Sequence, residues 1–317
     1  MGAPRPPVGV DPMRHATLRQ MQIFEAVARS LSFSDAARSM GLTQPAVSLQ
    51  IKQLEGLSEL KLFEQVGRTL GLTPAGEVLL DHVRTILGAV RDAEEAMDAL
   101  KGARAGLLRI GVVSMAKYFA PAVLSAFTAS HPGVDLALTV ANREQILDLM
   151  AENSLDVFLM GRPPVEPPVE ALAFATNPMV MVAPPNHPLL ERRLCLGDLA
   201  QETFLLREPG SGTRMLLEKL LSDAGLTPRR SYEMSSNETI KQAVMAGMGV
   251  SLLSRHTMGL ELSVGRLREL TVEGLPIERH WYVVTRRGKR LLPVAEALVR
   301  FLRDEGAALI ERATFGA

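Results

Sequence analysis

Gln44, Ser48 and Lys52 recur at every fourth position in one short stretch. On a helix that spacing sets them in one row, while Val47, Ile51 and Leu54 point the opposite way. Thr43 is placed to cap such a helix, and Pro45 falls in its first turn, where a missing N–H costs nothing. Amide and hydroxyl groups near the start of a helix can reach base edges in a major groove. Lys52 and the helix N-terminus would hold phosphates. The same row also suits the solvated face of a small three-helix domain, and spacing alone leaves both readings open.

A second set of candidate groups lies in loops that open helices. Ser114 and Lys117 follow the apolar run 107–113. The stretch from Arg207 to Arg214 is glycine-rich and carries the hydroxyls of Ser211 and Thr213. Ser235-Ser236-Asn237-Glu238 opens another helix. Such loops can cradle an anion with backbone N–H groups and the helix dipole. Each also has a structural explanation: Ser235 and Glu238 stand at capping-box spacing, and Gly210 and Gly212 suit a turn. The glycine-rich loop lacks the Gly-Lys-Ser/Thr ending of a nucleotide-binding loop, so ATPase chemistry is unsupported. Ser114, His256 and Asp156 could be assembled into a nucleophile–base–acid set only without a G-x-S-x-G elbow, so no catalytic residue is assigned. No two histidines stand four apart, and Cys195 is the single cysteine. A disulfide within the chain, a cysteine-rich zinc site and a helical metal pair are thereby excluded, and no metal site is assigned.

These groups need elements to hold them. Residues 1–12 are rich in Gly and Pro, lack an apolar core and read as a flexible tail rather than a secretory signal, with Met13 an alternative start. Residues 13–73 form a string of short helical patterns. Leu18, Met21, Ile23, Phe24, Val27 and Ala28 give the first an apolar face. Ser34 is expected to cap a second helix over Asp35–Met40, which Gly41 ends. A helix, a tight turn and a second helix with an exposed polar face make a helix-turn-helix. The segment 61–73 reads as a two-stranded wing turning at Gly67-Arg68, with Arg68 at its tip able to touch phosphate or enter a minor groove, or to serve as an ordinary surface arginine. From residue 14 to 73 seven basic residues face five acidic ones, so DNA binding here would rest on geometry and on doubling rather than on bulk charge.

Residues 74–105 read as one linker helix, with Thr73 as cap and Pro74 at its start. Leu79, Val83, Ile86, Val90, Ala93, Met97 and Leu100 recur with alternating gaps of four and three, a heptad stripe. A narrow stripe on a long charged helix suits burial against a second copy, with packing along the chain's own domains as the alternative. A dimer would pair two reading heads and demand two half-sites at fixed spacing.

From residue 106 to 317 short apolar strands alternate with helices, the mark of an α/β fold. Two lobes are expected, one over about 106–175 and 278–317, the other over about 176–277, joined by crossing strands that leave a cleft. The run 163–170 reads as an extended loop.

With 317 residues there is room for about two domains. Hydrophobic residues make up 47 % and charged residues 22 %, which excludes disorder as the main state. Aromatics at 4 % argue against a stacking platform for single strands. Lys+Arg and Asp+Glu both number 35, which excludes a wholesale polycation but permits a local basic patch. No apolar run approaches the ~20 residues of a membrane span, and a reducing, cytoplasmic home is expected. Two other classes use the same cleft: a cytoplasmic solute-binding protein, which would need no reading head, and a metabolic enzyme, which would need turnover.

The segments FEAVARSLSFSDAARSMGLTQPAVSLQIKQLE (24–55) and LFEQVGRTLGLTPAGE (62–77) resemble the winged helix-turn-helix of LysR-type transcriptional regulators. LLREPGSGTR (205–214), SSNETIKQAVMAGMGVSLLS (235–254) and GLPIERHWYVVTRRGKR (274–290) are similar to those of the family's regulators of Calvin-cycle carboxylase (RuBisCO) operons. The resemblance implies an all-α winged head, a long linker helix and an effector domain of periplasmic-binding-protein type. It implies homodimers, commonly paired into tetramers, that bind double-stranded promoter DNA, work with RNA polymerase and answer to a small anionic metabolite. By that resemblance Gln44, Pro45 and Ser48 face bases, while Ser34, Thr43, Lys52 and Arg68 position the head on the backbone. Loops bearing Ser114, Lys117, Asn142, Arg162, Arg207, Ser211, Thr213, Arg214 and Asn237 line the effector cleft. The effector implied is a phosphorylated sugar or nicotinamide dinucleotide, such as ribulose bisphosphate or NADPH; no other cofactor is implied. Gln65 departs from the family's pattern, where many members carry Arg in the wing, which removes a second wing arginine from the DNA contacts.

Overall fold

The computed structural model describes residues 12–67, 69–100 and 106–316. The tail up to Asp11, Arg68 and the Leu100 side chain, all named above, lie outside the described residues. The chain divides into two compact units, residues 1–94 with 151–153 and the remainder of 95–317.

In the first unit α1 (Leu18–Ser30) begins at Thr17, whose hydroxyl and backbone N–H exchange hydrogen bonds with Gln20 in a capping box. It ends at Leu31, in the left-handed region at φ 46°. The next helix, α2, spans Phe33–Ser39, and its cap is Ser32, which accepts from the Asp35 N–H at 3.2 Å. The expected cap, Ser34, is instead an exposed residue of its first turn. Helix α2 starts earlier because Phe33 turns inward, its ring edge-on to Phe63 with centroids 5.8 Å apart. α3 (Gln44–Ser58) is capped by Thr43 through the Ala46 N–H. Its inner face, Val47, Ile51 and Leu54, is buried against Phe24 and Val27 in one core. β1 (Phe63–Val66) and β2 (Thr69–Leu72) pair antiparallel as the wing.

Helix α4 spans Pro74–Leu100. Its apolar residues divide between two faces. Leu80, Val83 and Leu87 are buried in the core they share with α1–α3. Val83 therefore belongs to that core and not to an outward stripe, because a helix of 3.6 residues per turn carries it toward Leu80 and Leu87. Leu79 and Val90 are half-buried, while Val78, Ile86 and Met97 are exposed.

The second unit opens with β3 (Leu107–Val113), α5 (Ala120–Ser130), β4 (Asp135–Ala141), α6 (Arg143–Ala151) and β5 (Val157–Met160). β6 then runs over Val169–Ala183 and takes in the last two residues of the run 163–170 expected to be an extended loop. β7 (Thr203–Arg207), α7 (Gly212–Asp223), β8 (Arg230–Met234), α8 (Asn237–Met245) and β9 (Ser251–Ser254) follow. The chain closes with α9 (Gly259–Ser263), β10 (Arg268–Glu269), β11 (Ile277–Arg286) and α10 (Pro293–Phe315). β3 pairs parallel with both β4 and β5, whereas β11 is antiparallel to β5 and β6. β9 also joins β6, and β7 pairs parallel with β8.

β6 and β11 serve two cores. One is built on Ile110, Phe127, Phe158 and Leu298. The other lies on both faces of the distal sheet: Met179 and Met181 pack with Leu252 and Phe204, and the alternate residues Val180 and Val182 pack with Leu253 and Met258. That period-2 division is what a strand covered on both faces requires. Two lobes joined by crossing strands are thus present, as the alternation of strands and helices predicts.

Where the long strands cross, the register of β11 against β6 shifts between Trp281 and Tyr282. Trp281, the sole tryptophan, donates its indole N–H to His256 Nδ1 at 3.0 Å. The imidazole proton is therefore on Nε2, which faces Glu311 at 3.3 Å. Burial holds His256 below its ordinary pKa of 6.5; Glu311 opposes the shift and Arg255 adds to it. The unfolded chain then binds the proton first, so this residue's contribution is complete above the unfolded pKa and is lost as pH falls through it. The melting temperature is expected to drop on acidification below about pH 6.5. His256→Gln, whose amide oxygen can still accept from the indole, should flatten that fall in a pH series of thermal melts; an unaltered profile would refute the assignment.

Candidate nucleic-acid face and ligand cleft

On α3 the outward row is intact. Gln44 is exposed and its Nε2 donates to Ser48 Oγ at 3.1 Å. Thr43, Pro45 and Lys52 are exposed, and Ser48 is half-buried. Leu49, 55 % exposed, lies on the same side and adds an apolar contact that sequence reading missed; such a group suits a thymine methyl. Glu55 fixes the wing to the helix: it accepts from the Leu62 N–H at 3.0 Å and pairs with Lys61 at 2.7 Å. Lys61 is thus partly committed, whereas Lys52 has no carboxylate partner among the described residues.

The second unit carries a cleft between its lobes. Of the loop residues singled out above, Ser114, Asn142, Arg162, Arg207, Ser211 and Thr213 line it. The cleft also takes in Arg143, Lys219, Arg279, Asn177 and Gly161, with Met115, Met179 and Met215 as apolar wall. Two helices open into it. Asn142 caps α6, its Oδ1 accepting from the Gln145 N–H at 2.9 Å. Ser211 precedes α7 with no side-chain bond to the first turn, so that terminus keeps its N–H groups for a ligand. The Thr213 hydroxyl reaches across to the Met115 sulfur at 3.0 Å and joins the lobes.

The charges in the cleft are of one sign. Arg207 is buried and paired with Glu208 at 2.7 Å. Lys219 is paired with Asp223 at 3.0 Å, outside the lining. Arg143, Arg162 and Arg279 have no ion-pair partner among the described residues, and none of the residues lining the cleft bears a carboxylate. Arg143 donates to the Arg162 carbonyl. Burial, together with the Arg162 cation, holds the Arg143 guanidinium below its ordinary pKa. Three cations without counter-ions, beside an uncapped helix terminus, can bind an anion and cannot by themselves do chemistry on it.

Three of the residues singled out above lie outside the lining. Lys117 is half-buried with its ammonium 5.2 Å from the Tyr118 ring centre. Arg214 is spent on Glu218 at 2.7 Å, Glu233 at 2.6 Å and the Arg207 carbonyl. Asn237 is buried behind the cleft, where it accepts from Arg207 and so orients it. The cap of α8 is Ser236, not Ser235; Glu238 is paired with the buried Lys241 at 3.0 Å. Ser114, His256 and Asp156 do not form a catalytic set: Ser114 donates to the Ala141 carbonyl, His256 faces Trp281, and Asp156 is paired with Lys289 at 2.9 Å. Arg143 carried a legible signal, since it is the first residue of a helix opening on the cleft, whereas Lys219 stands two turns into α7. Asn177 and Arg279 had none, because only the crossing of β6 and β11 brings them there; they are register partners.

Among the described residues, no group of acidic, histidine or cysteine side chains could hold a metal, and no helix is long and apolar enough to cross a membrane.

Residues 101–307 match the family model described as LysR substrate binding domain, and residues 18–77 match that described as bacterial regulatory helix-turn-helix protein, lysR family. The chain is 70 % identical over 293 residues to the HTH-type transcriptional regulator CbbR of Rhodospirillum rubrum, covering 92 % of this chain and 98 % of that protein. It is 47 % identical over 296 residues to the RuBisCO operon transcriptional regulator of Allochromatium vinosum, covering 93 % of this chain and 98 % of that protein. Among solved structures, the Synechocystis PCC6803 CcmR regulatory domain in complex with 2-PG superposes with a TM-score of 0.60 at 36 % identity, covering 62 % of this chain and 96 % of that one.

Proposed function

This chain belongs to the LysR family of bacterial helix-turn-helix regulators, and from that premise we propose that it controls carbon-fixation genes in response to a small phosphorylated anion. It is a DNA-binding transcriptional regulator and not an enzyme, in line with the regulators it resembles. The RuBisCO-operon relative supports the target, and the CcmR domain with its 2-PG supports the class of ligand. The observation that carries the ligand reading is the set of unpaired guanidinium groups, Arg143, Arg162 and Arg279, in one cleft. On this reading the regulator works in the cytoplasm as a dimer, doubled into a tetramer on its promoter, and passes its signal to RNA polymerase. A ligand changes DNA geometry only through its unequal affinity for two arrangements of the lobes.

Calorimetric titration with 2-PG, ribulose bisphosphate and NADPH, with promoter footprinting beside it, tests the proposal. Arg143→Ala should weaken the ligand that binds by about ten- to a hundredfold, the range for losing a charge-assisted hydrogen bond of about 1.5–3 kcal/mol. Undiminished affinity in that variant would move the site elsewhere.

A further inference from the structure

The floor of the cleft holds a polar group that the anion does not need. Asn177 lies on β6 and is 1 % exposed, yet it lines the cleft. Its Oδ1 accepts from the hydroxyl of Ser254, fully buried at the end of β9, at 2.6 Å. The Ser254 carbonyl in turn accepts from Thr257 at 2.7 Å, so the serine is fixed in place. The amide is oriented by that contact, and its Nδ2 is left without a hydrogen-bond partner among the described residues. This Nδ2 is not among the sealed, unpartnered side-chain atoms, so it is reachable from the cleft, where a ligand oxygen can accept its N–H. Gly161 shows where this one points. A Cβ built on Gly161 would stand 3.5 Å from Asn177 Nδ2, 3.8 Å from the Met115 methyl and 4.0 Å from the Trp281 ring. The space above Gly161 is thus part of the cleft, with one fixed donor, the Met115 methyl and the Trp281 ring nearest to it.

An amide N–H carries no charge and suits a neutral acceptor, whereas charged oxygens are matched by the arginines that line the rest of the cleft. Resting on the anion reading above, we propose that Asn177 is a specificity-determining residue that takes a hydroxyl or carbonyl oxygen of the ligand, with Ser254 as its positioning residue. The cations then hold phosphate, and the floor distinguishes an oxygenated carbon skeleton from a bare one. A site built to donate a hydrogen bond rejects the analogue lacking the acceptor, because its own buried group is left unpaired.

The test compares two probes by calorimetry on the full-length protein. One is ribulose bisphosphate. The other is pentanediol bisphosphate, which has the same five-carbon span and both phosphates but no hydroxyl or carbonyl. The wild type should bind the first at least about tenfold more tightly, equivalent to about 1.4 kcal/mol. Gly161→Ala fills the space with a methyl at ordinary contact distances, and Ser254→Ala frees the amide to rotate. Each should collapse the preference to about threefold or less, whereas a general loosening of the cleft would weaken both probes alike and keep their ratio. Equal affinity in the wild type, or a ratio that survives both substitutions, overturns the floor subsite and leaves the anion site standing. A wild type that binds neither probe overturns the anion reading, and the subsite falls with it.

Discussion

Replacing Gln44 and Ser48 together by alanine will erase the preference for operator over random duplex while leaving salt-dependent association in place. Both side chains stand on the outer face of α3, and they satisfy each other at 3.1 Å until a base edge replaces that contact. A well-made contact to a base edge discriminates by about 1–3 kcal/mol. Two such contacts in each head, repeated in a dimer, account for a selectivity of several orders of magnitude. Non-specific affinity comes instead from phosphates, through Lys52 and the helix terminus that Thr43 caps, and neither is altered. A gel-shift comparison of operator with random duplex at several salt concentrations should show the two curves merging, with their slopes against salt unchanged. Retained selectivity would place base reading on other residues, with Leu49 the first candidate.

Much of this molecule is legible before folding because local chemistry and global position agree. Thr43, Pro45 and the buried triplet Val47, Ile51 and Leu54 specify α3 completely, and the structure places each as the spacing requires. The strand Leu107–Val113 and the loop from Arg207 to Thr213 are likewise local. Legibility fails where a decision is made by something distant. Ser32 rather than Ser34 caps α2 because Phe33 has a partner thirty residues on, at Phe63. Val83 fits a heptad on paper, but the core it enters is set by α1–α3. Arg214 looks as available as Arg207 in sequence, and only Glu218 and Glu233 remove it from the cleft. The deepest functional residue, Asn177, is invisible for the same reason: nothing near it in sequence marks the middle of a long strand as the floor of a site.

The division of α4 into two apolar faces leads to the other large effect. Leu80, Val83 and Leu87 are between 0 and 8 % exposed and belong to the core of the reading head. Val78, Ile86 and Met97 are 63, 39 and 56 % exposed. Ile86 and Met97 share one side of the helix with the half-buried Leu79 and Val90, while Val78 lies off it; among the described residues that side is only partly covered, and an apolar stripe along a charged helix suits burial against a partner. A second copy of α4 covers this face at least cost, since in a two-fold pair every contact is made twice. Ile86→Asp should therefore act twice. It forfeits burial of the exposed two-fifths of the side chain, about 0.6–1.2 kcal/mol on each side, and buries a carboxylate that has no partner, which is the larger cost. Light scattering should report monomers at micromolar concentration, with far-UV circular dichroism unchanged because the residue does not enter the head's core. Leu87→Asp, one position along, should instead unfold the head. Operator affinity should fall with the dimer, because a single head reads only a half-site. An Ile86→Asp protein that stays dimeric would assign this face to packing within the chain.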